Sequence, residues 1–157
     1  MERLLGSYRY AVDAKGRVSV PAPFRKVLFP QPGLSGTLTR GYENCIALYP
    51  PDKWEEEAQQ TADLPFTVGN VRLFAREMAF HAKPGTIDGQ GRIILPKELR
   101  DWARIDKEAL VLGVFTHIEI FNPEVYEAYR SGSGMTYERA AEELHKLRTS
   151  LRPHDDR

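Results

Sequence analysis

Apolar and polar residues alternate in the N-terminal part of the chain, first over Tyr8–Asp13 and again over Arg17–Val20. A period of two is typical of β-strands that turn one face to a core. Gly16 lies between the two runs, so the pattern predicts two strands joined by a tight turn, as in a β-hairpin. In the second run the valines fall on one face and Arg17 on the other. If the valines face the core, Arg17 faces solvent or a ligand.

The same pattern occurs a second time in the chain. Residues Val12–Pro21 align with Ile87–Pro96 at an offset of 75, with Asp, Gly, Arg and Pro at matching positions. Farther along, Ile46–Pro51 aligns with Ile118–Pro123 at an offset of 72. An internal repeat determines the architecture, so a prediction that overlooks the repeat assigns the wrong fold. Each half therefore predicts a strand, a turn, a second strand, a short helix and more strand.

A proline closes the second strand of each half, and short helices are predicted to follow over Ala22–Leu28 and Lys97–Ala103. The stretches Thr37–Tyr49 and Leu110–Phe121 each hold enough apolar and β-branched residues for two more strands. The repeat continues through the short helices, where Phe24-Arg25 matches Leu99-Arg100.

Helices are also predicted from Asp52 and from Pro123 onward. Between the two halves, apolar residues recur at the three- and four-residue spacing of an amphipathic helix, and a longer stripe near the C-terminus predicts another. Thr136 is a suitable N-cap for the latter, which follows a flexible joint over Arg130–Gly134. The two sets are Val68, Val71, Phe74 and Met78, and Tyr137, Ala140, Ala141, Leu144, Leu147 and Leu151.

These elements predict a β-rich α+β fold in four parts. The first unit covers residues 7–54 and the second covers 83–126. A helical segment over 55–82 links them, and residues 127–157 form a C-terminal helix and tail. The pattern leaves open whether the C-terminal helix packs on its own chain or covers the rim of an assembly.

Composition narrows the class of protein. A single Cys in 157 residues excludes an internal disulfide framework and a Cys-based zinc site within one subunit. The four histidines lack ligand spacing, so neither a metal nor a cofactor is expected, and Cys45 in its apolar strand is expected to be a small buried residue. No apolar run approaches the roughly 18 residues of a membrane span, and the start lacks the apolar stretch of a signal peptide. We expect a soluble cytoplasmic protein.

The net charge of zero conceals two opposed segments. Residues 1–26 hold six Lys and Arg against two acidic residues, whereas residues 52–63 hold one Lys against five acidic residues. A basic segment on a neutral chain suits a protein that meets an anion on one face. Ordinary surface charge would give the same count, so the alternative stays open.

The repeated motif Asp-x-x-Gly-Arg has a chemical logic of its own. An Asp that opens a turn accepts hydrogen bonds from amides two residues on, and Gly supplies a positive φ. Arg9, Lys15 and Arg17 would then converge, an arrangement suited to phosphate oxygens or a guanine edge. Alternatively, the Arg of each turn only pairs with Asp13 or Asp88 and locks the turn. The two functions are compatible.

The two aspartates also raise the possibility of an aspartic-protease-like dyad that shares one proton. That chemistry usually has Thr or Ser and then Gly after Asp, whereas Ala14-Lys15 and Gly89-Gln90 follow here. Nearby Lys and Arg side chains would also keep both carboxylates ionised. We therefore expect a protein that is not an enzyme and has no small-molecule substrate.

The doubled motif, Asp13-x-Lys15-Gly16-Arg17 and Asp88-x-Gln90-Gly91-Arg92-Ile93, occurs together with further motifs from about Gly6 to Tyr129, and the set resembles the MraZ family. The resemblance implies two tandem AbrB-like (SpoVT-AbrB) units whose swapped hairpins close one double-psi barrel, with peripheral helices. It further implies a transcriptional regulator that forms a homo-oligomeric ring, lies at the nucleoid in the cytoplasm, and binds promoter repeats of the division and cell wall gene cluster, including its own promoter. The motifs are Gly6-x-Tyr8, Asp13-x-Lys15-Gly16-Arg17, Pro21, Phe24-Arg25, Thr39-Arg40-Gly41, Leu48-Tyr49-Pro50, Trp54, Arg76, Ala82, Asp88-x-Gln90-Gly91-Arg92-Ile93, Pro96, Leu99, Gly113 and Ile118-Glu119-Ile120.

The same resemblance assigns the site residues. Lys15 and Arg17 are the implied contacts of the first unit with double-stranded DNA, and Arg92 and Gln90 are their counterparts in the second. The basic N-terminal segment adds candidates. These further DNA-binding candidates are Arg9 and Arg3. The residues expected to shape the turns are Asp13, Gly16, Asp88 and Gly91. An alternative function is a protein-binding assembly module, such as an antitoxin-like partner of a toxin.

Overall fold

A computed structural model describes residues 3–31 and 35–151, and within them the chain forms eight strands and six helices. The strands are β1 (Leu4–Ala11), β2 (Arg17–Ser19), β3 (Gly36–Arg40), β4 (Ile46–Tyr49), β5 (Lys83–Gly85), β6 (Arg92–Ile94), β7 (Glu108–Phe115) and β8 (Ile118–Phe121). The helices are α1 (Ala22–Leu28), α2 (Pro51–Ala62), α3 (Gly69–His81), α4 (Lys97–Ala103), α5 (Pro123–Gly132) and α6 (Tyr137–Ser150). The α+β class predicted from the repeat is confirmed.

The strands of the two halves pair reciprocally. A six-stranded antiparallel sheet has the order β1-β7-β8-β4-β3-β5, and β2 pairs with β6 in a second, two-stranded sheet. The first strand of each half therefore lies beside the third strand of the other half, as β1 with β7 and β5 with β3. The fourth strands, β4 and β8, meet at the centre of the large sheet.

Equivalent positions of the repeat fill one core. Val18 and Val20 are buried as their counterparts Ile93 and Leu95 are, and the apolar residues of α1 are buried as those of α4 are. All of these side chains belong to a single cluster. Burying a side chain of this size contributes about 1.5–3 kcal/mol, so both halves stabilise the same core. The remaining buried pairs are Phe24 and Leu99, Leu28 and Ala103, Ile46 and Ile118, and Leu48 and Ile120.

The predicted hairpins are much shorter than the alternation suggested. In the first half, the Asp13 amide donates to the Arg17 carbonyl oxygen, but β1 then pairs with β7 and β2 with β6. In the second half, one bridge between Ile87 and Ile93 flanks the turn before β6 continues beside β2. The prediction of a ladder within each half is wrong, because these strands form their ladders with strands of the other half.

The linking segment consists of two helices. α3 lies against β3, where the Thr39 hydroxyl donates to the Met78 carbonyl oxygen at 3.3 Å. The predicted joint after Arg130 is partly wrong, since α5 continues to Gly132 and only Ser133–Thr136 interrupt the helices. The Thr136 hydroxyl accepts a hydrogen bond from the Arg139 amide, so the predicted N-cap is confirmed.

Contacts group the chain into two compact units, Met1–Tyr126 and Glu127–Arg157. The end of the predicted tail, from residue 152 onward, lies outside the described residues. Among residues 3–31 and 35–151, no helix has the length and apolar character required to cross a membrane.

Candidate nucleic-acid interface

Asp13 organises the turn of the first half. Its Oδ1 accepts hydrogen bonds from the Lys15 amide at 3.0 Å and from the Arg17 amide at 2.9 Å. Its Oδ2 accepts from Nε of Arg17 at 2.6 Å. The Gly16 amide donates to the Asp13 carbonyl oxygen, and Gly16 takes φ +81°, a conformation that L side chains rarely adopt. One aspartate thus sets both the backbone of the turn and the direction of the arginine.

The second turn repeats this geometry. Oδ1 of Asp88 accepts from the Gln90 amide at 2.8 Å and from the Arg92 amide at 3.0 Å. Oδ2 accepts from Nε of Arg92 at 3.1 Å. Gly91 takes φ +75°. Because both turns use the same contacts, the repeat in the sequence is a repeat of hydrogen bonds.

The environment of each turn favours the ionised aspartate. The Arg17 amide holds the pKa of Asp13 below its usual value, and its guanidinium and the Lys15 amide act in the same direction, whereas desolvation acts against them. The pKa of Asp88 is lowered in the same way, first by the Arg92 amide. Ionised carboxylates bonded to guanidinium groups disfavour the shared proton that the dyad alternative requires.

The two turns form one surface. β2 and β6 pair with Val18 opposite Ile93. At each end of this ladder, a strand amide reaches the glycine of the opposite turn: Leu95 donates to the Gly16 carbonyl oxygen at 2.8 Å and Val20 to that of Gly91 at 2.9 Å. An ion pair of 3.9 Å between Arg92 and Asp13 also crosses between the turns. The arginines of both halves are therefore held in one network.

Each glycine is covered by an arginine of the other half. A Cβ placed on Gly16 would lie 2.7 Å from Nε of Arg100 and 2.9 Å from the Leu95 carbonyl oxygen. A Cβ placed on Gly91 would collide with Nη1 of Arg25. These two arginines are missing from the predicted site, although the offset of 75 marks them as equivalents in the sequence. Their contacts cross between halves, so local pattern gave no reason to place them at the turns.

The predicted cations of the turns are at least partly exposed. The side chains of Arg17 and Arg92 are 31% and 26% exposed, and each aspartate engages its arginine through Nε. Within the described residues, no hydrogen bond uses the terminal nitrogens of Arg17. Lys15 and Gln90 are exposed, and their amides, rather than their side chains, bond to the aspartates.

Two predicted cations have other surroundings. Arg9 is 64% exposed and pairs with Glu108 of β7 at 3.5 Å. No contact in the described part of the chain joins it to Lys15 or Arg17, so its predicted convergence with them has no support there. Arg3 lines a shallow cavity with Ala22, Pro23 and Lys26.

Cys45 is the remaining candidate for reactive chemistry outside the turns. Cys45 is buried, as predicted, and burial together with the nearby Glu119 raises the pKa of its thiol. A raised pKa disfavours the nucleophilic thiolate. Over residues 3–31 and 35–151, no three His, Cys, Asp or Glu side chains gather into a group that could hold a metal ion.

The reciprocal sheet and the joined turns define a class of protein: two tandem β-rich units that share one core and present a pair of Asp-anchored, arginine-bearing turns. Comparison with known proteins gives the family. The sequence model of the family described as "MraZ protein, putative antitoxin-like" matches residues 4–77 and again 78–148. The chain belongs to the MraZ family.

Relatives of this family match along nearly their whole length. The chain is 39% identical over 140 residues to "Transcriptional regulator MraZ" of Syntrophomonas wolfei subsp. wolfei (strain DSM 2245B / Goettingen), which covers 89% of this chain and 95% of the relative. It is 39% identical to the protein of that name from Moorella thermoacetica (strain ATCC 39073 / JCM 9320), with the same coverage. It is 38% identical over 144 residues to that of Thermoanaerobacter sp. (strain X514), covering 92% and 98%.

Proposed function

We propose that this protein is a transcriptional regulator that binds double-stranded DNA through the paired turns. The observation that carries the proposal is the network in which Asp13 and Asp88 hold Arg17 and Arg92 through Nε, while the terminal nitrogens of Arg17 make no hydrogen bond among the described residues. The names of the relatives support a role in transcription. The same names agree with a protein that is not an enzyme.

Binding would combine two kinds of contact. Lys15 and the half-buried Arg25 and Arg100 would neutralise phosphates, which sets the register of the protein on DNA. The guanidinium groups of Arg17 and Arg92 have the planar donor geometry that matches the O6 and N7 acceptors of guanine in the major groove. Because Asp fixes Nε of each arginine, the remaining donors are oriented before DNA arrives, and less side-chain entropy is lost on binding.

We further propose that the two units, residues 7–54 and 83–126, form an AbrB-like barrel with swapped hairpins. The reciprocal pairing of β1 with β7, β5 with β3 and β2 with β6 supports this arrangement. Copies of the chain would assemble into a homo-oligomeric ring at the nucleoid. A ring that contacts successive repeats in a division and cell wall promoter, including its own, would convert weak single contacts into high avidity.

The proposal is tested by footprinting on the DNA upstream of the protein's own gene. Arg17→Ala combined with Arg92→Ala should abolish protection, because the groove-facing donors are lost. Binding by the wild type should weaken with salt, with a slope of about −0.9 per neutralised phosphate. Arg148→Ala on α6 removes an exposed arginine outside the turns and serves as the matched control.

The fold of each variant must be checked by circular dichroism and thermal unfolding. Salt-sensitive binding that is retained by a folded Arg17→Ala, Arg92→Ala variant would contradict the role of the paired turns. Protection that is equally reduced by Arg148→Ala would show that total charge, rather than turn geometry, controls the affinity.

A second candidate function is a protein-binding module, as the family description "antitoxin-like" suggests. Exposed apolar side chains on α3 favour it, since Leu73 and Phe80 are 63% and 70% exposed. This function requires a stable complex with another protein chain and no preference for any promoter. A pull-down compared with and without nuclease treatment distinguishes the two, because DNA-bridged partners are lost on digestion.

A further inference from the structure

His81 is the last residue of α3 and lies at the junction between the linking segment and the second half. It is only 4% exposed, although histidine is a polar residue. Nδ1 lies 2.5 Å from Oε1 of Glu98 on α4, and Nε2 lies 3.1 Å from Oε2 of Glu77 on α3. Both ring nitrogens therefore face a carboxylate within hydrogen-bond distance.

This geometry selects one protonation state. A neutral imidazole has one N–H donor and one acceptor, whereas an imidazolium has two donors. Ionised carboxylates only accept hydrogen bonds, so both contacts are satisfied only when His81 is protonated. In the neutral form, one nitrogen lone pair of the buried ring would face an oxygen of Glu77 or Glu98, which is unfavourable.

The other charged group in this network is Arg40 of β3. Its Nη1 lies 3.6 Å from Oε2 of Glu77, and its guanidinium stacks on Trp102 of α4 at 4.2 Å. Glu77 is thus shared between Arg40 and His81, while Glu98 contacts the histidine. With His81 protonated, two cations balance two carboxylates across α3, α4 and β3.

Glu98, the carboxylate next to Nδ1 of His81, lies on α4, and Arg100 of the same helix covers the first turn. α4 carries Glu98 near its start and Arg100 two residues later. Nε of Arg100 donates to the Leu95 carbonyl oxygen at 3.0 Å, and its side chain lies over Gly16. Protonated His81 is thereby connected through one short helix to the turn that holds Lys15 and Arg17.

We propose that protonated His81 is a positioning residue that fastens the linking segment to α4 and, through Arg100, supports the first turn in the conformation that binds DNA. The inference rests on the proposed function for its effect on DNA. With a neutral His81, one of the two carboxylate contacts has no donor, so the fastening is weaker and both the stability and the affinity for DNA decrease. The linking segment therefore makes DNA binding sensitive to pH.

The protonation state is measured directly by long-range ¹H–¹⁵N NMR of the histidine rings in the full chain. The expected spectrum at mildly acidic pH has both ring nitrogens of His81 protonated, and this signature is lost on raising the pH. His81→Gln identifies the resonance, and His145→Gln on α6 is the control. A neutral ring throughout the range from about pH 5 to 9 would overturn the proposal.

The coupling is measured as denaturation midpoint and DNA affinity over the same range. Wild type should lose affinity with rising pH by roughly fivefold or more, the lower end of usual coupling between sites. Glu98→Gln should flatten the profile, because an amide N–H₂ can donate to a neutral imidazole while the fold is preserved. His145→Gln should follow the wild type.

Parallel profiles for wild type and Glu98→Gln would refute the fastening, even if His81→Gln fails to fold. An affinity that is lower in Glu98→Gln but equally dependent on pH would make the role of this contact purely structural and would also refute it. If no variant binds DNA at any pH, the proposed function fails, while the NMR and stability profiles still decide whether His81 fastens α4.

Discussion

A single carboxylate in each turn has two functions. Oδ1 of Asp13 caps two backbone amides, and Oδ2 holds the Nε edge of Arg17. The structural role and the proposed binding role of the motif are therefore compatible, because Oδ1 performs the first and Oδ2 would prepare the second. The same division occurs at Asp88 and Arg92.

The positive φ of Gly91 predicts a sharp difference between neighbouring glycines. Gly91→Ala should destabilise the protein by about 1–2 kcal/mol from the left-handed backbone alone, with an added cost because its Cβ displaces Arg25. Gly89→Ala is the matched control, since no atom lies within 4 Å of its Cβ position. Urea denaturation measures both, and equal stability of the two variants would contradict the account of the turn.

The lowered pKa of both aspartates predicts sensitivity to acid. A carboxyl group whose pKa is lower in the folded state contributes stability above its unfolded pKa, near 3.8, and this contribution is lost as pH falls through the folded value. The denaturation midpoint of the wild type should therefore fall below about pH 4.

A variant that combines Asp13→Asn and Asp88→Asn should begin less stable at neutral pH and lose less on acidification. Asp52→Asn, at an exposed acidic position of α2, provides the control. If the double variant and the wild type lose stability in parallel between about pH 5 and 3, the aspartates do not account for the acid response.

At the scale of elements, α4 joins distant parts of the fold. Nε1 of Trp102 donates to the Cys45 carbonyl oxygen at 3.2 Å, and Nδ2 of the Asn44 side chain donates to the Trp102 carbonyl oxygen at 3.1 Å. These bonds attach α4 to the loop between β3 and β4 of the first half. The helix thus connects that loop, His81 and the first turn.

Trp102→Phe removes one of these hydrogen bonds and part of the stacking surface under Arg40. We expect a loss of about 1 kcal/mol in the free energy of unfolding, because the Cys45 oxygen keeps the Gly41 amide as a donor. Trp54→Phe, at an indole whose ring packs near Tyr49 without a hydrogen bond among the described residues, should cost less. Thermal or urea unfolding compares the two, and an equal loss would argue against a special role for the α4 attachment.

The local sequence was sufficient to predict the individual helices and turns. The bounds of α1 and α4 agree with the structure, since a proline, an apolar spacing and a short run define them. The motif also predicted the capping of each turn by its aspartate. Pairing of strands and the placement of Arg25 and Arg100 depend on contacts between halves, which a pattern of period two does not contain. The clue to both was the offset between the repeats.

At the scale of the molecule, neither half supplies all the partners with which its strands pair. β1 needs β7, β5 needs β3, and β2 needs β6. The core draws equivalent residues from both halves, so separating them exposes half of a core on each. The sequence repeat therefore describes two interdependent parts, even though each contains a full set of motifs.

Division of the chain between α2 and α3 tests this dependence. Residues 1–65 and 66–157, expressed separately, should lack stable structure as monomers and recover the circular dichroism spectrum of the whole protein on mixing. Either half alone should gain structure only with self-association, because its strands can pair with a second copy of themselves. Sedimentation measures the size, and a folded monomeric half would contradict the shared core.

The arginine that fills the space above each glycine has a consequence for how such a chain changes over generations. A side chain gained at residue 91 would call for a smaller neighbour at residue 25, in the opposite repeat. The two repeats can therefore differ in sequence elsewhere, but substitutions at each glycine and at the arginine that covers it are coupled. Because each arginine fills space beside a glycine of the other half, a substitution in one half limits which substitutions the other half tolerates.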